Sequence, residues 1–123
     1  MLLDTSAWVE LFLGTEKGEV VEDILDVEPS FTSLVSVAEI TLWCIRNQQD
    51  IPQSIQWVTT LSRVLPATLP IAVSAARVTA ERKKEVKRWG MVDGIIYATA
   101  RMHGLTVLTT DHHFAGLPQV KIL

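Results

Sequence analysis

Four carboxylates have neighbours that suit them to chemistry: Asp4, Glu39, Asp93 and Asp111. Asp4 ends the short apolar opening Met1-Leu2-Leu3 and begins Asp4-Thr5-Ser6, three residue types that favour a helix N-cap. Asp111 comes just past the apolar run Thr106-Val107-Leu108-Thr109. Glu39 falls one turn into a helix that follows a second short strand, and Asp93 falls in the first turn of another, between Val92 and Gly94-Ile95-Ile96. Singly, each has a structural explanation: Asp4 and Asp93 as caps, Asp111 as a turn acid, Glu39 as an acid favoured by the helix dipole. Brought together at separations near ~4 Å, they would repel by about 4 kcal/mol per pair at an effective dielectric of about 20. Unless the acids spread apart, such a cluster needs shared protons or a cation, and an all-oxygen donor set suits Mg²⁺ or Mn²⁺.

The elements that must position these acids follow from periodicity. A strand over residues 1–3 leads into a helix with Trp8, Val9, Leu11 and Phe12 on its apolar face, closed by Gly14. A second helix is expected from Lys17 to Asp26, then a strand over Ser30-Phe31-Thr32-Ser33. Ser36 is expected to cap a helix carrying Val37, Ile40, Trp43 and Cys44 as far as Asn47. Pro52 suits the first turn of a helix running from about Gln53 to Val64, followed by an extended piece over Pro66 to Pro70. A helix from Ala72 continues into the basic stretch, with Gly90 as its terminator. The last helix spans Val92 to His103 with Gly104 at C′, and strands over residues 106–109 and 120–123 enclose a turn at Phe114 to Leu117. Strands alternating with helices predict an α/β fold: a three-layer sandwich with a mostly parallel central sheet. Ligands of such sheets gather beyond the carboxyl ends of the strands, the edge where Asp4 and Asp111 fall.

The chain's 123 residues match one domain, expected to span 1–123, and 48% apolar with 20% charged residues excludes a disordered chain. Its single cysteine, Cys44, excludes an intramolecular disulfide or a cysteine-built zinc site and reads as a buried thiol. No apolar run approaches the ~18 residues of a membrane span, so a cytoplasmic protein is expected. The net charge of −3 hides an asymmetry. Residues 1–28 carry eight acids and one base, whereas residues 77–101 carry seven bases and three acids. Five of those bases lie between Arg82 and Arg88, either as a solvated helix face or as a track for a polyanion. Within that run Lys84, Lys87 and Arg88 are the candidate contacts to a nucleic-acid backbone. Trp8, Trp43, Trp57 and Trp89 read as core or partner-contact residues, with base stacking the alternative for Trp89. His103 reads as a helix C-terminal residue, and His112 and His113 have no zinc-like spacing.

Four segments in order resemble the PIN-domain nucleases: Leu3-Asp4-Thr5-Ser6, Val37-Ala38-Glu39-Ile40, Val92-Asp93-Gly94-Ile95-Ile96-Tyr97-Ala98-Thr99-Ala100 and Leu108-Thr109-Thr110-Asp111-His112-His113-Phe114. Length and spacing resemble the VapC-type toxins of toxin–antitoxin pairs. The resemblance implies a metal-dependent endoribonuclease in which Asp4, Glu39, Asp93 and Asp111 hold Mg²⁺ (or Mn²⁺) and a water is activated to attack an RNA phosphodiester. It further implies that Ser6 orients the first aspartate and that Thr109 matches the threonine before the fourth acid. His113 stands where the family often carries a further acid, making it a candidate at a second metal position. Val92 replaces a commoner small residue before Asp93. The implied partners are the RNA substrate, a cognate antitoxin whose C-terminal segment enters the acidic site, and a second copy in a homodimer. Two other readings compete. One is a catalytically silent PIN-like module that binds RNA or protein. The other is an aspartate-based phosphohydrolase with Asp4 as nucleophile, which suits the sequence poorly because Ser6 stands where a second aspartate is wanted.

Overall fold

The computed structural model describes every residue from Met1 to Leu123. Its strands are β1 (Leu2–Leu3), β2 (Phe31–Ser33), β3 (Arg63–Leu65), β4 (Val107–Thr109) and β5 (Val120–Ile122), all parallel, in the order β3-β2-β1-β4-β5. The centre is β1, where Leu2 aligns with both Phe31 and Val107, and Leu3 with both Thr32 and Leu108. Helices α1 (Thr5–Leu13) and α2 (Glu16–Val27) join β1 to β2, and α3 (Leu34–Arg46) and α4 (Ile51–Leu61) join β2 to β3. From β3 the chain crosses to the other half of the sheet through α5 (Leu69–Arg82) and α6 (Met91–Met102). A 3₁₀ turn over His112–Phe114 is the only helical piece between β4 and β5.

Alternating side chains divide the core between the two sheet faces. Leu3 and Leu108 pack with Ala7, Trp8, Val21, Ile40, Cys44 and Val58 on the face covered by α1 to α4. Leu2 and Val107 pack with Trp89, Ile96, Tyr97 and Phe114 on the α6 face. Helix α5 closes over α6 through Ile71, Ala75 and Ala98. The expected three-layer α/β sandwich is therefore present, with a fully parallel sheet. No helix is long and apolar enough to cross a membrane.

Local chemistry moves several boundaries from those the sequence suggests. Ser33, not Ser36, caps α3: its hydroxyl accepts from the Val35 N–H at 3.3 Å, because the helix starts directly at the end of β2. Ser36 is buried within the helix, and its Oγ has no partner. Helix α4 stops at Leu61 rather than Val64. At Ser62 the backbone turns extended and the hydroxyl donates to the Val58 carbonyl at 2.7 Å, so Val64 and Leu65 join strand β3 instead. The extended piece expected at Pro66–Pro70 is this earlier strand. Thr68 caps α5, which begins at Leu69 with Pro70 in its first turn.

The basic stretch is not helical to Gly90. Helix α5 ends at Arg82 and turns follow, which lets Val86 and Trp89 fold inward onto the sheet. Gly90, at φ −117°, is the N-cap of α6 rather than the end of α5. Trp89 is fully buried, donates to the Thr79 hydroxyl at 3.3 Å and meets Phe114 edge-on, which rules out stacking on a base.

One glycine sets the approach of α5 to α6. A Cβ on Gly94 would strike the Thr79 hydroxyl and lie 2.9 Å from the Ala75 carbonyl oxygen. Gly94→Ala should therefore cost about 1–3 kcal/mol, the range for overpacking a filled interior. Urea denaturation measures it, and wild-type stability would mean the helices do not meet at this point.

Candidate functional site

The connections out of β1 and into β4 run to opposite halves of the sheet, so the gap between the carboxyl ends of these two neighbours is the topological switch point. Asp4 directly follows β1, and Asp111 comes two residues after β4. Glu39 on α3 and Asp93 on α6 approach from above the same edge. All four acids line one open cleft of about 300 Å³, together with Thr5, Ser6, Val9, Glu10 and Thr110. A separate groove near Leu11, Phe12 and Trp57 contains a single acid, Asp50, whose carboxylate caps α4. The three carboxylates whose pKa values are raised all lie in the acidic cleft.

Asp4 occupies the N-cap position of α1 yet makes no side-chain cap bond. Its Oδ2 instead accepts two hydroxyl donors, Thr109 Oγ1 at 2.7 Å and Ser6 Oγ at 2.8 Å. Those hydroxyls are oriented in turn, because Ser6 Oγ accepts from the Thr110 N–H at 3.0 Å and Thr109 Oγ1 from the Asp111 N–H at 2.9 Å. With both protons directed at Asp4, the 3.1 Å approach of Ser6 Oγ to Thr109 Oγ1 is contact without a shared proton.

The other three acids repeat the pattern. Glu39 Oε1 accepts from Thr5 Oγ1 at 2.6 Å, and Asp93 Oδ2 accepts from the Gly90 N–H at 2.9 Å. Asp111 Oδ1 accepts from the His113 N–H at 2.8 Å. Each carboxylate thus has one oxygen tethered, and no side-chain donor reaches the other. The acids share the cleft but do not close on a common point, the spread arrangement of the two open to them. No three Asp, Glu, His or Cys side chains stand at metal-coordination spacing.

A model of the PIN domain family matches residues 1–119. The chain belongs to the PIN-domain family. This PIN domain is 32% identical to Toxin FitB of Neisseria gonorrhoeae over 122 aligned residues, covering 90% of this chain and 87% of FitB. It is 26% identical to a chain of a toxin–antitoxin complex from Klebsiella pneumoniae, at a TM-score of 0.79 over 98% of this chain and 94% of that one. VapC20 of Mycobacterium tuberculosis, a sarcin–ricin loop cleaving toxin, shares the fold at a TM-score of 0.78 and 18% identity, over 98% of this chain and 97% of that one.

The remaining nominated residues separate by environment. His113 is half-buried on the rim, with Nδ1 3.4 Å from Asp111 Oδ1. Lys84, Lys87 and Arg88 are exposed, but Lys84 already pairs with Glu81 at 3.1 Å. Sequence reasoning overlooked Thr5 as the tether of Glu39, Glu10 as a fifth acid in the cleft, and Thr110 as the donor to Ser6. Helical spacing held the signal for Glu10, which lies four residues after Ser6 and so shares its face of α1.

Burial raises the pKa of Asp4, against the lowering effect of the Thr109 and Ser6 hydroxyls. Burial also raises Glu39 and Asp93, and the neighbouring carboxylates push both further up. A group with a folded-state pKa above its unfolded value stabilises the fold below the unfolded value, and that contribution is lost as pH rises through the folded one. In EDTA this PIN domain should therefore lose stability at these three sites as pH climbs from about 4 towards neutrality. Asp4→Asn should raise the metal-free melting temperature near neutral pH and flatten the pH profile. Thermal melts across pH check this, and a drop in melting temperature would assign Asp4 a purely structural role.

Proposed function

We propose that this PIN domain is a metal-dependent endoribonuclease, the toxin of a toxin–antitoxin pair, acting as a single domain in the cytoplasm. One observation carries the reading: Asp4, Glu39, Asp93 and Asp111 line one cleft, each with an oxygen free of side-chain donors, Glu10 lies in the same cleft, and no basic side chain lies among the lining residues. That donor set fits Mg²⁺ or Mn²⁺. A small hard cation takes one or two carboxylates and keeps several waters, so a closed group of three protein ligands is not required. Asp4 and Asp93 would hold the ion, with Glu39 and Asp111 completing the site directly or through water. When bound, the ion supplies Lewis acidity that makes a water a usable nucleophile and offsets charge on the phosphate.

The chain's own residues supply orientation and proton handling. Ser6 and Thr109 fix the Asp4 carboxylate through Oδ2. Thr5 holds Glu39, whose raised pKa and longer side chain suit it to steer the attacking water and take its proton. In-line attack leaves a 5′-phosphate and a 3′-hydroxyl. Lys87 and Arg88, with Lys84 once it leaves Glu81, track the RNA backbone. His113, beside Asp111, is the candidate side chain at a second metal position. The likeness to FitB and to the Klebsiella toxin–antitoxin chain supports an antitoxin partner, whose Arg side chain would find an acidic socket in the cleft. A second copy of the chain in a homodimer is the other proposed partner.

Asp4→Asn and Asp93→Asn should each lower Mg²⁺-dependent RNA cleavage to below about one-hundredth with the circular dichroism spectrum unchanged. Removing a residue behind the ligands already costs about 10–100-fold, so losing a ligand should cost at least the upper end. Cleavage that survives both substitutions, or full activity in EDTA, would sink the reading. A wild-type protein that binds RNA without cutting it would be the silent module.

Neutralising Lys84, Lys87 and Arg88 together should weaken RNA binding and flatten the log–log salt dependence by roughly 0.7 per lost single-strand phosphate contact. Filter binding over a salt series measures the slope. Equal slopes for wild type and variant would make the run a solvated surface only.

A further inference from the structure

Arg82 begins the basic run, yet it does not behave as part of a nucleic-acid surface. Its side chain is only 11% exposed. Nη2 donates to the His113 carbonyl at 2.7 Å and to the Ala115 carbonyl at 2.6 Å, and Nε reaches the His113 carbonyl at 3.3 Å. The guanidinium carbon lies 5.6 Å from the centre of the Trp89 ring, which packs edge-on against Phe114 with centroids 4.9 Å apart. The remaining contact, to Glu85 at 3.9 Å, is to a residue 80% exposed and holds little.

Apart from the Glu85 pair, these contacts converge on the 3₁₀ turn at His112–Phe114, whose His113 N–H the Asp111 side chain caps. Upstream, Asp111 is fixed through its N–H to Thr109 Oγ1. Downstream, its Oδ1 is held by His113, through the backbone N–H at 2.8 Å and a longer approach of Nδ1 at 3.4 Å. A three-residue turn has few bonds of its own, here Phe114 to Asp111 at 3.3 Å and Ala115 to His112 at 3.0 Å. Its far side is held from outside, by a side chain at the last residue of α5.

We propose that Arg82 is a positioning residue for Asp111: it clamps the two carbonyls of the turn, and through the His113 N–H it sets the Asp111 carboxylate at the cleft. This rests on the nuclease reading for the part Asp111 plays, though not for the clamp itself. The planar, forked guanidinium suits the task because it donates to two carbonyls at once while lying against an indole. A lysine offers the charge without the fork.

The test compares wild type, Arg82→Lys and Arg82→Gln as full chains. In EDTA, amide exchange at His113 should quicken at least about tenfold in Arg82→Gln, with Arg82→Lys intermediate and the Leu2 amide in the central strand unchanged. With Mg²⁺ and single-stranded RNA, kcat should fall about 10–100-fold while KM and the salt slope of binding stay at wild-type values. Unchanged exchange at His113 would overturn the clamp. A changed KM and salt slope with kcat intact would make Arg82 an RNA contact and overturn the proposal. Lower thermal stability with unchanged kcat per folded molecule would make it merely structural, with the same consequence. Should Arg82→Gln fail to fold, Arg82→Lys carries the same readouts. A wild type that cleaves nothing defeats the nuclease reading, and the exchange data still decide the clamp.

Discussion

A nearly buried carboxylate at the centre of a parallel sheet is the constraint around which this molecule is organised. Asp4 retains only 5% exposure; its burial raises its pKa, and the two hydroxyls on Oδ2 offset part of that cost. Those hydroxyls come from residues over a hundred positions apart in sequence, Ser6 at the start of α1 and Thr109 at the end of β4. Backbone N–H groups of Thr110 and Asp111 orient both. The same few bonds thus join two neighbouring strands and carry the β4 edge up to the acid, so fold and site share their central joint.

The acids impose an electrostatic burden that the rest of the chain is arranged to bear. Three of them have pKa values raised by burial and by the neighbouring carboxylates, and the four do not close on one point. Each is tethered at one oxygen: by hydroxyls for Asp4 and Glu39, and by nearby backbone N–H groups for Asp93 and Asp111. Tethering on rigid elements stops the cluster from relaxing outward. The dense packing behind it, with Trp8 on one sheet face and Trp89 on the other, resists the residual strain. A cation bound in the cleft would relieve the repulsion between the carboxylates, which is the role the proposed function gives to Mg²⁺ or Mn²⁺.

Much of the frame was legible without coordinates. Short apolar strands alternating with 3.6-residue periods implied a parallel α/β sandwich, and that rule alone brings Asp4 and Asp111 to the carboxyl edge. The misread boundaries share one cause, because long-range pairing overrode local preference. Val64 fits a helical stripe, but the place beside β2 drew residues 63–65 into an edge strand. The basic run suits a helix face, but the core drew Val86 and Trp89 inward and ended the helix at Arg82.

The division between sequence and structure follows from the range of each interaction. Residue type and local period determined by themselves which acids flank strand ends and helix starts, since capping, turning and alternation act within a few residues. They could not determine the partners of those acids. The pairing of Thr5 with Glu39, the clamp of Arg82 on the His113 and Ala115 carbonyls, and the burial of Trp89 join positions 10 to 34 residues apart. Only the folded chain decides such contacts, because a side chain's hydrogen-bond partner depends on where distant backbone comes to rest, and tertiary packing sets that place.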